Sequence, residues 1–214
     1  VKNPYGGRES IVDLRPAAVD GYVFWTRNPV PFLPALEAVG NQGKPFVVQM
    51  TVTGMPRALE RRTPAPDAMV AAMRTLRDRY GPDVLVWRFD PILATPAWPL
   101  GRQLRTFEEL SAALRGVTDE VCVSWATLYR KSLRNLGKAD IPVDDPAAEE
   151  KRAFLAGLAD RAEANRMALT VCSQPDLVPE GGRPAACIDA ARLSRVANRE
   201  IRARRKGNRP GCLC

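Results

Sequence analysis

Histidine is absent from this sequence. Without imidazole the chain can build no Ser-His or Cys-His nucleophile pair and no histidine-ligated metal site, which excludes much ordinary hydrolytic chemistry. Long apolar runs are lacking too. No stretch approaches the roughly eighteen apolar residues of a membrane span, and the opening VKNPYGGRES contains no apolar signal segment. The expectation is a cytoplasmic protein with no membrane partner. There is no GxxxxGK(S/T) loop, and no glycine-rich turn follows the first β-rich run, which argues against a dinucleotide fold.

What is present supports one substantial core. The 214 residues are 45% apolar, and no break in composition divides them, so the expectation is one domain over 1–214 with a cysteine-bearing C-terminal segment at about 187–214. The chain starts at Val1 rather than Met and stops on Cys214, which reads as a segment of a longer chain. A net charge of +8 favours phosphate-rich partners.

Five short β-rich runs recur: YVFWT (22–26), FVVQMTVT (46–53), VLVWRF (84–89), VCVSWATLY (121–129) and ALTVC (168–172). Mostly unbroken apolar runs are what strands buried on both faces require. Each is followed by a helical pattern. Pro29 and Pro31 stand where a helix begins; Met69, Ala72, Met73 and Leu76 repeat at 3–4 spacing after Pro66; Thr106 and Glu109 read as a capping box; Asp145 precedes Pro146 and an acidic first turn; and a last helix is predicted at roughly 188–206. ATPAWPLGRQ (94–103) reads as a long loop. Repeated strand-helix units predict an α/β fold with a parallel sheet in sequential order, curled into a (β/α) barrel, complete or partial.

In such folds ligands meet the carboxyl ends of the strands. Those ends deliver Thr26-Arg27-Asn28, Thr51 and Thr53, Arg88 and Asp90, Tyr129-Arg130-Lys131, and Cys172-Ser173. Arg88 and Asp90 in VWRFDPI alternate with apolar neighbours and so share a strand face, where a mutual ion pair or a ligand must satisfy them.

Five cysteines in a reducing compartment point to buried thiols or metal ligands rather than disulfides. Cys122, inside EVCVSW, reads as a small buried hydrophobe. Cys172, Cys187, Cys212 and Cys214 lie at loop or terminal positions and are the number an all-thiolate zinc or iron–sulfur site needs. Their spacing, C-x14-C-x24-C-x-C, fits no short zinc-finger or ferredoxin pattern, but a terminal C-x-C is an oxidation liability unless ligated. Arg192, Arg195, Arg199 and Arg202 fall on one helical stripe, either a solvated face or a phosphate-contacting one.

In order along the chain, GYVFWTRNPVPFL, QMTVTG, LVWRFDPIL, VSWATLYRKSLRNL, VCSQPDL followed by ACIDAARL, and GCLC resemble a bacterial family of uncharacterised, radical-SAM-like proteins. The resemblance covers nearly the whole chain. Members look longer, with an Arg-Arg-Thr-Asp strand ahead of this region and a tail beyond it carrying C-x-x-x-C-x-Y-C-Y-A. That triad binds a 4Fe–4S cluster and S-adenosylmethionine, and is similar to that of spore-photoproduct lyase and related DNA-repair proteins. It does not occur in this sequence, whereas Cys172, Cys187, Cys212 and Cys214 do. The resemblance implies that these four form a second centre, an auxiliary iron–sulfur cluster or a zinc site.

It further implies a radical S-adenosylmethionine enzyme of unknown substrate. An electron-donor protein would reduce the cluster, and a 5'-deoxyadenosyl radical would take hydrogen from a small-molecule or nucleic-acid substrate held in the barrel. Asn28, Thr53, Arg88, Asp90 and Arg130 would bind cofactor or substrate. Two alternatives stay open: a metal-stabilised (β/α) barrel enzyme without radical chemistry, and a basic nucleic-acid-binding module using the arginine stripe.

Overall fold

The computed structural model describes residues 9, 11–203, 212 and 213. Six strands, β1 (Tyr22–Thr26), β2 (Phe46–Thr51), β3 (Leu85–Arg88), β4 (Glu120–Val123), β5 (Ala168–Val171) and β6 (Arg183–Pro184), form one sheet in the order β1-β2-β3-β4-β5-β6. Every neighbouring pair is parallel. The sequential parallel order expected from the sequence is therefore present, with β1 and β6 as the edges of the sheet among the described residues.

The helices are α1 (Leu33–Asn41), α2 (Pro66–Tyr80), α3 (Leu100–Ala113), α4 (Arg130–Lys138), α5 (Ala148–Ala164) and α6 (Ala190–Ala197). Side chains alternate along a strand, and here the alternation sorts two layers. Val48, Met50, Leu85, Trp87, Val121, Val123, Leu169 and Val171 pack in one core with Leu36 of α1, Met73 and Leu76 of α2, Phe107 of α3 and Leu155 and Leu158 of α5. Trp87 anchors that layer: its ring stacks on Phe107 at 4.8 Å between centroids, and its indole N–H donates to the Val52 carbonyl at 2.9 Å. Burying an aromatic of this size contributes up to about 3 kcal/mol.

The intervening residues face the other way. Val47, Val86, Cys122 and Cys172 form a smaller cluster with Ala185, Leu193 and Ile201, so this second face is covered by α6 and its flanks. Among the described residues four helices pack on one face and a single short helix on the other, so the sheet is wound mainly on one side.

Several elements differ from the sequence reading. β6, only two residues long, falls below any periodicity signal. The run at 121–129 stays a ladder strand only to Val123, with an isolated parallel bridge from Trp125 to Ile92 beyond it. α3 starts at Leu100, directly after Pro99 in an extended conformation, so Thr106 is mid-helix and caps nothing. The loop at 94–103 is shorter for the same reason. α4 buries no residue: its short apolar side, Leu133 and Leu136, is not packed into the core.

The last helix is much shorter than 188–206. Asp189 caps it, accepting from the Ala191 and Arg192 amides at 2.8 and 3.1 Å, and Asn198 ends it in the left-handed region at φ 48°. Of the expected arginine stripe only Arg192 is buried; Arg195 is exposed on the helix, and Arg199 and Arg202 are exposed beyond its end. Arg192 is 1% exposed and donates to Asp119 at 2.6 Å, to Glu120 at 2.9 Å and to the Asp83 and Leu85 carbonyls at 3.2 Å. Arg195 pairs with Asp83 at 2.9 Å. Arg192 and Arg195 thus meet acids at the amino ends of β3 and β4 and anchor the helix there.

Candidate functional site

The second face of the sheet gathers the reactive groups. β3 delivers Arg88, and the parallel register sets it beside Cys122 of β4, which in turn lies beside Thr170 of β5. Two residues further along, on the same face, come Asp90, Ser124 and Cys172. Cys187 arrives from outside the sheet, after β6 and a turn whose Gly181 takes φ 77°, a value that favours glycine. The Gln49 side chain on β2 holds it by donating to the Cys187 carbonyl at 3.2 Å.

Three thiols meet there. The Cys172 and Cys187 sulfurs are 3.5 Å apart, and Cys122 packs in the same cluster. Ser173, in the left-handed region at φ 57°, puts its hydroxyl 3.6 Å from the Cys172 sulfur. A non-glycine residue held there is strained backbone at the site itself.

Arg88 ties the cluster together. One N–H reaches the Cys187 sulfur at 3.1 Å and the Gln49 side-chain oxygen at 3.2 Å, while Nε donates to Asp90 at 3.1 Å and Nη2 to the other Asp90 oxygen in a fork. Ser124 donates to Asp90 at 3.3 Å. Burial opposes the Arg88 charge, but Cys122, Asp90 and Cys187 around it more than offset that, so its pKa is raised and the guanidinium stays protonated.

The thiols are unequal. Hydrogen bonds from Cys122 and then Cys187 pull the Cys172 thiol well below the usual range, whereas the bonds Cys122 gives to Cys172 and Cys187, together with burial, push Cys122 up. For Cys187 the bond with Cys122 acts downward, but the bond with Cys172 and burial outweigh it, pushing the thiol up to about 12. The arrangement concentrates one thiolate at Cys172 with two thiol donors beside it.

Of the four cysteines expected to form one centre, the structure brings together Cys172 and Cys187. Cys212 is half-buried, and Cys214 lies outside the described residues. Among the described residues no set of three His, Cys, Asp or Glu side chains is disposed as a complete metal-binding group. Cys122 is buried, as expected, yet it belongs to the cluster, set there by its register beside Arg88 and Thr170.

The other expected site residues spread out. Arg88 and Asp90 pair with each other on the cluster's face. Thr53 lines a neighbouring cavity of about 170 Å³ at the carboxyl end of β2, donating to Glu60 at 3.0 Å, and Glu60 also pairs with Arg27. Arg27 reaches the Asp90 carbonyl at 3.5 Å, linking cavity to cluster. Asn28 makes local turn bonds, its side-chain oxygen accepting from the Val30 amide at 3.2 Å. Arg130 begins α4 and is exposed. Gln49 and Glu60 were not singled out in the sequence: a glutamine inside an apolar run and an acid in a loop carry no pattern of their own.

No curated protein and no solved structure matches the chain. A model of one family, the domain of unknown function DUF1848, matches residues 1–214, and the chain belongs to that family.

Proposed function

We propose that the second face of this sheet is a thiolate metal centre in an enzyme whose strands and helices make an incomplete (β/α) barrel of the radical-SAM type. One observation carries the reading: sulfurs from the end of β5 and from the loop after β6 approach to 3.5 Å, with the Cys122 side chain in the same buried cluster. Thiolates on one tetrahedral zinc, with bonds of about 2.3 Å, stand about 3.8 Å apart. Thiolates of an iron–sulfur cluster bind separate irons and stand farther apart, so the donor set fits a mononuclear metal between Cys172 and Cys187. When bound, such a metal supplies a fixed positive charge and Lewis acidity at the carboxyl mouth.

The chain's own groups do the rest. Arg88 donates to the Cys187 sulfur and favours its thiolate form; Asp90 fixes the guanidinium; Gln49 holds the Cys187 backbone; and Ser173 donates toward Cys172. Arg27, Thr53 and Glu60 present a paired charge and a hydroxyl beside the site, where a polar small molecule would be oriented. The second reading adds a 4Fe–4S cluster, S-adenosylmethionine and an electron-donor protein; the one-sided, sequential parallel sheet favours it.

Anaerobic purification followed by elemental analysis and absorption spectra tests both. About one zinc per chain, lost in Cys172→Ser and in Cys187→Ser, supports the first. Broad absorbance near ~400 nm supports the cluster. A metal-free chain with every thiol titratable overturns both.

A further inference from the structure

A second feature at the same end of the sheet is independent of the thiols. α4, RKSLRNLGK, contains no acid, and at about 100° per residue Arg130, Lys131, Arg134 and Lys138 fall within one arc of roughly 100°. All four are exposed, and none makes an ion pair among the described residues. A cluster of like charges left unneutralised costs self-repulsion that an acidic partner removes.

The other side of α4 is apolar and uncovered. Tyr129, Leu133 and Leu136 share it, with Tyr129 55% and Leu133 47% exposed. Leu136 lines a groove of about 370 Å³ together with Leu59, Pro91, Leu93 and the Arg27–Glu60 pair. Across the groove from α4, the loop that supplies Leu59 and Glu60 carries Arg57, Arg61 and Arg62, all exposed and, among the described residues, in no ion pair. An apolar floor thus runs between two basic elements, with an accessible tyrosine ring beside it.

We propose that this groove takes single-stranded nucleic acid, its phosphates following Arg57, Arg61 and Arg62 on one side and the α4 cations on the other, and its bases lying on Tyr129, Leu133 and the groove floor. Cations that track a backbone alternating with aromatic and apolar surface for unstacked bases are the chemistry of single-strand binding. A duplex hides its base faces, and polyphosphate has none, so neither can use the apolar floor. A nine-residue helix with two leucines on one side and a tyrosine at its cap is too small to insert into an anionic lipid surface. The inference goes beyond the metal centre and does not rest on it.

Fluorescence anisotropy with labelled short oligothymidylate tests it, against the same strand in a duplex, inorganic polyphosphate and anionic vesicles as competitors. The strand is expected to bind about tenfold or more tighter than the duplex at ~0.15 M salt, with affinity falling steeply as salt rises. Arg134→Glu with Lys138→Glu should cost about tenfold or more, with far-UV circular dichroism unchanged. Tyr129→Ala should weaken strand binding several-fold and leave polyphosphate binding unaltered. Cys172→Ser should bind the strand as the unaltered chain does; loss of binding in that variant would move the site to the thiols and overturn the proposal. Equal affinity for strand, duplex and polyphosphate, preference for vesicles, or full affinity in the charge-reversed variant would each overturn it as well.

Discussion

Cys172 and Cys187 bring their sulfurs to 3.5 Å across 15 residues of chain, one from the end of β5 and the other from a loop held by Gln49. A two-electron oxidant needs only to draw them about 1.5 Å closer to form a bond of ~2.05 Å. In chelator-treated protein, diamide should therefore join Cys172 to Cys187, the two thiols losing their hydrogens to the azo compound. Peptide mapping under non-reducing conditions identifies the pair; a bridge formed equally by Cys122 would show that the thiols rearrange freely.

The Arg88–Asp90 pair is mostly buried, so its partners cannot be removed singly without cost. Arg88→Met leaves Asp90 with only Ser124 as a side-chain donor and should destabilise the fold by about 3–5 kcal/mol. Arg88→Lys keeps the charge and loses the fork, and should fall between. Urea unfolding measures both, and a wild-type midpoint in Arg88→Met would contradict the burial.

Arg192 is a separate test of the same physics at the opposite end of the strands. Arg192→Met leaves the buried Glu120 carboxylate with Thr170 and the more distant, exposed Arg183 as its side-chain partners and should cost about 3 kcal/mol, whereas Arg192→Met combined with Glu120→Gln should recover part of the loss. Additive losses in the pair of substitutions would show that the two residues do not interact.

Gly54, at φ 66°, faces α3 so closely that a Cβ would meet the Thr106 methyl at 2.7 Å. Gly54→Ala should cost about 1–2 kcal/mol from conformation alone, plus the contact. Adding Thr106→Ser, which removes the methyl, should return the contact portion only. Thermal melts of the three variants separate the two contributions.

The sheet was legible because its strands are short apolar runs with helices between them, a pattern that leaves little choice but parallel order. Arg88 with Asp90 was legible for a related reason: two charges on one face of an apolar strand demand each other. Cys187 beside Cys172 could be reached from residue chemistry and the family resemblance together. Cys122 could not, because a thiol in an apolar strand looks the same whether its neighbours are methyl groups or sulfurs, and only register across β3, β4 and β5 decides. The buried role of Arg192 was hidden likewise: a basic stripe records which residues share a face, not what that face meets. α4 escaped because its stability owes nothing to a buried stripe.

The thiol-bearing face is covered by residues 185–201, all later in the chain than the strands that build it. The helix-side core draws on α1, α2, α3 and α5, every one of which precedes that covering segment. As the chain leaves the ribosome, the helix layer can close while Cys122 and Cys172 still face solvent. A metal at the proposed centre would therefore have an interval during synthesis in which Cys172 is open to solvent, before the segment carrying Cys187 arrives to cover it.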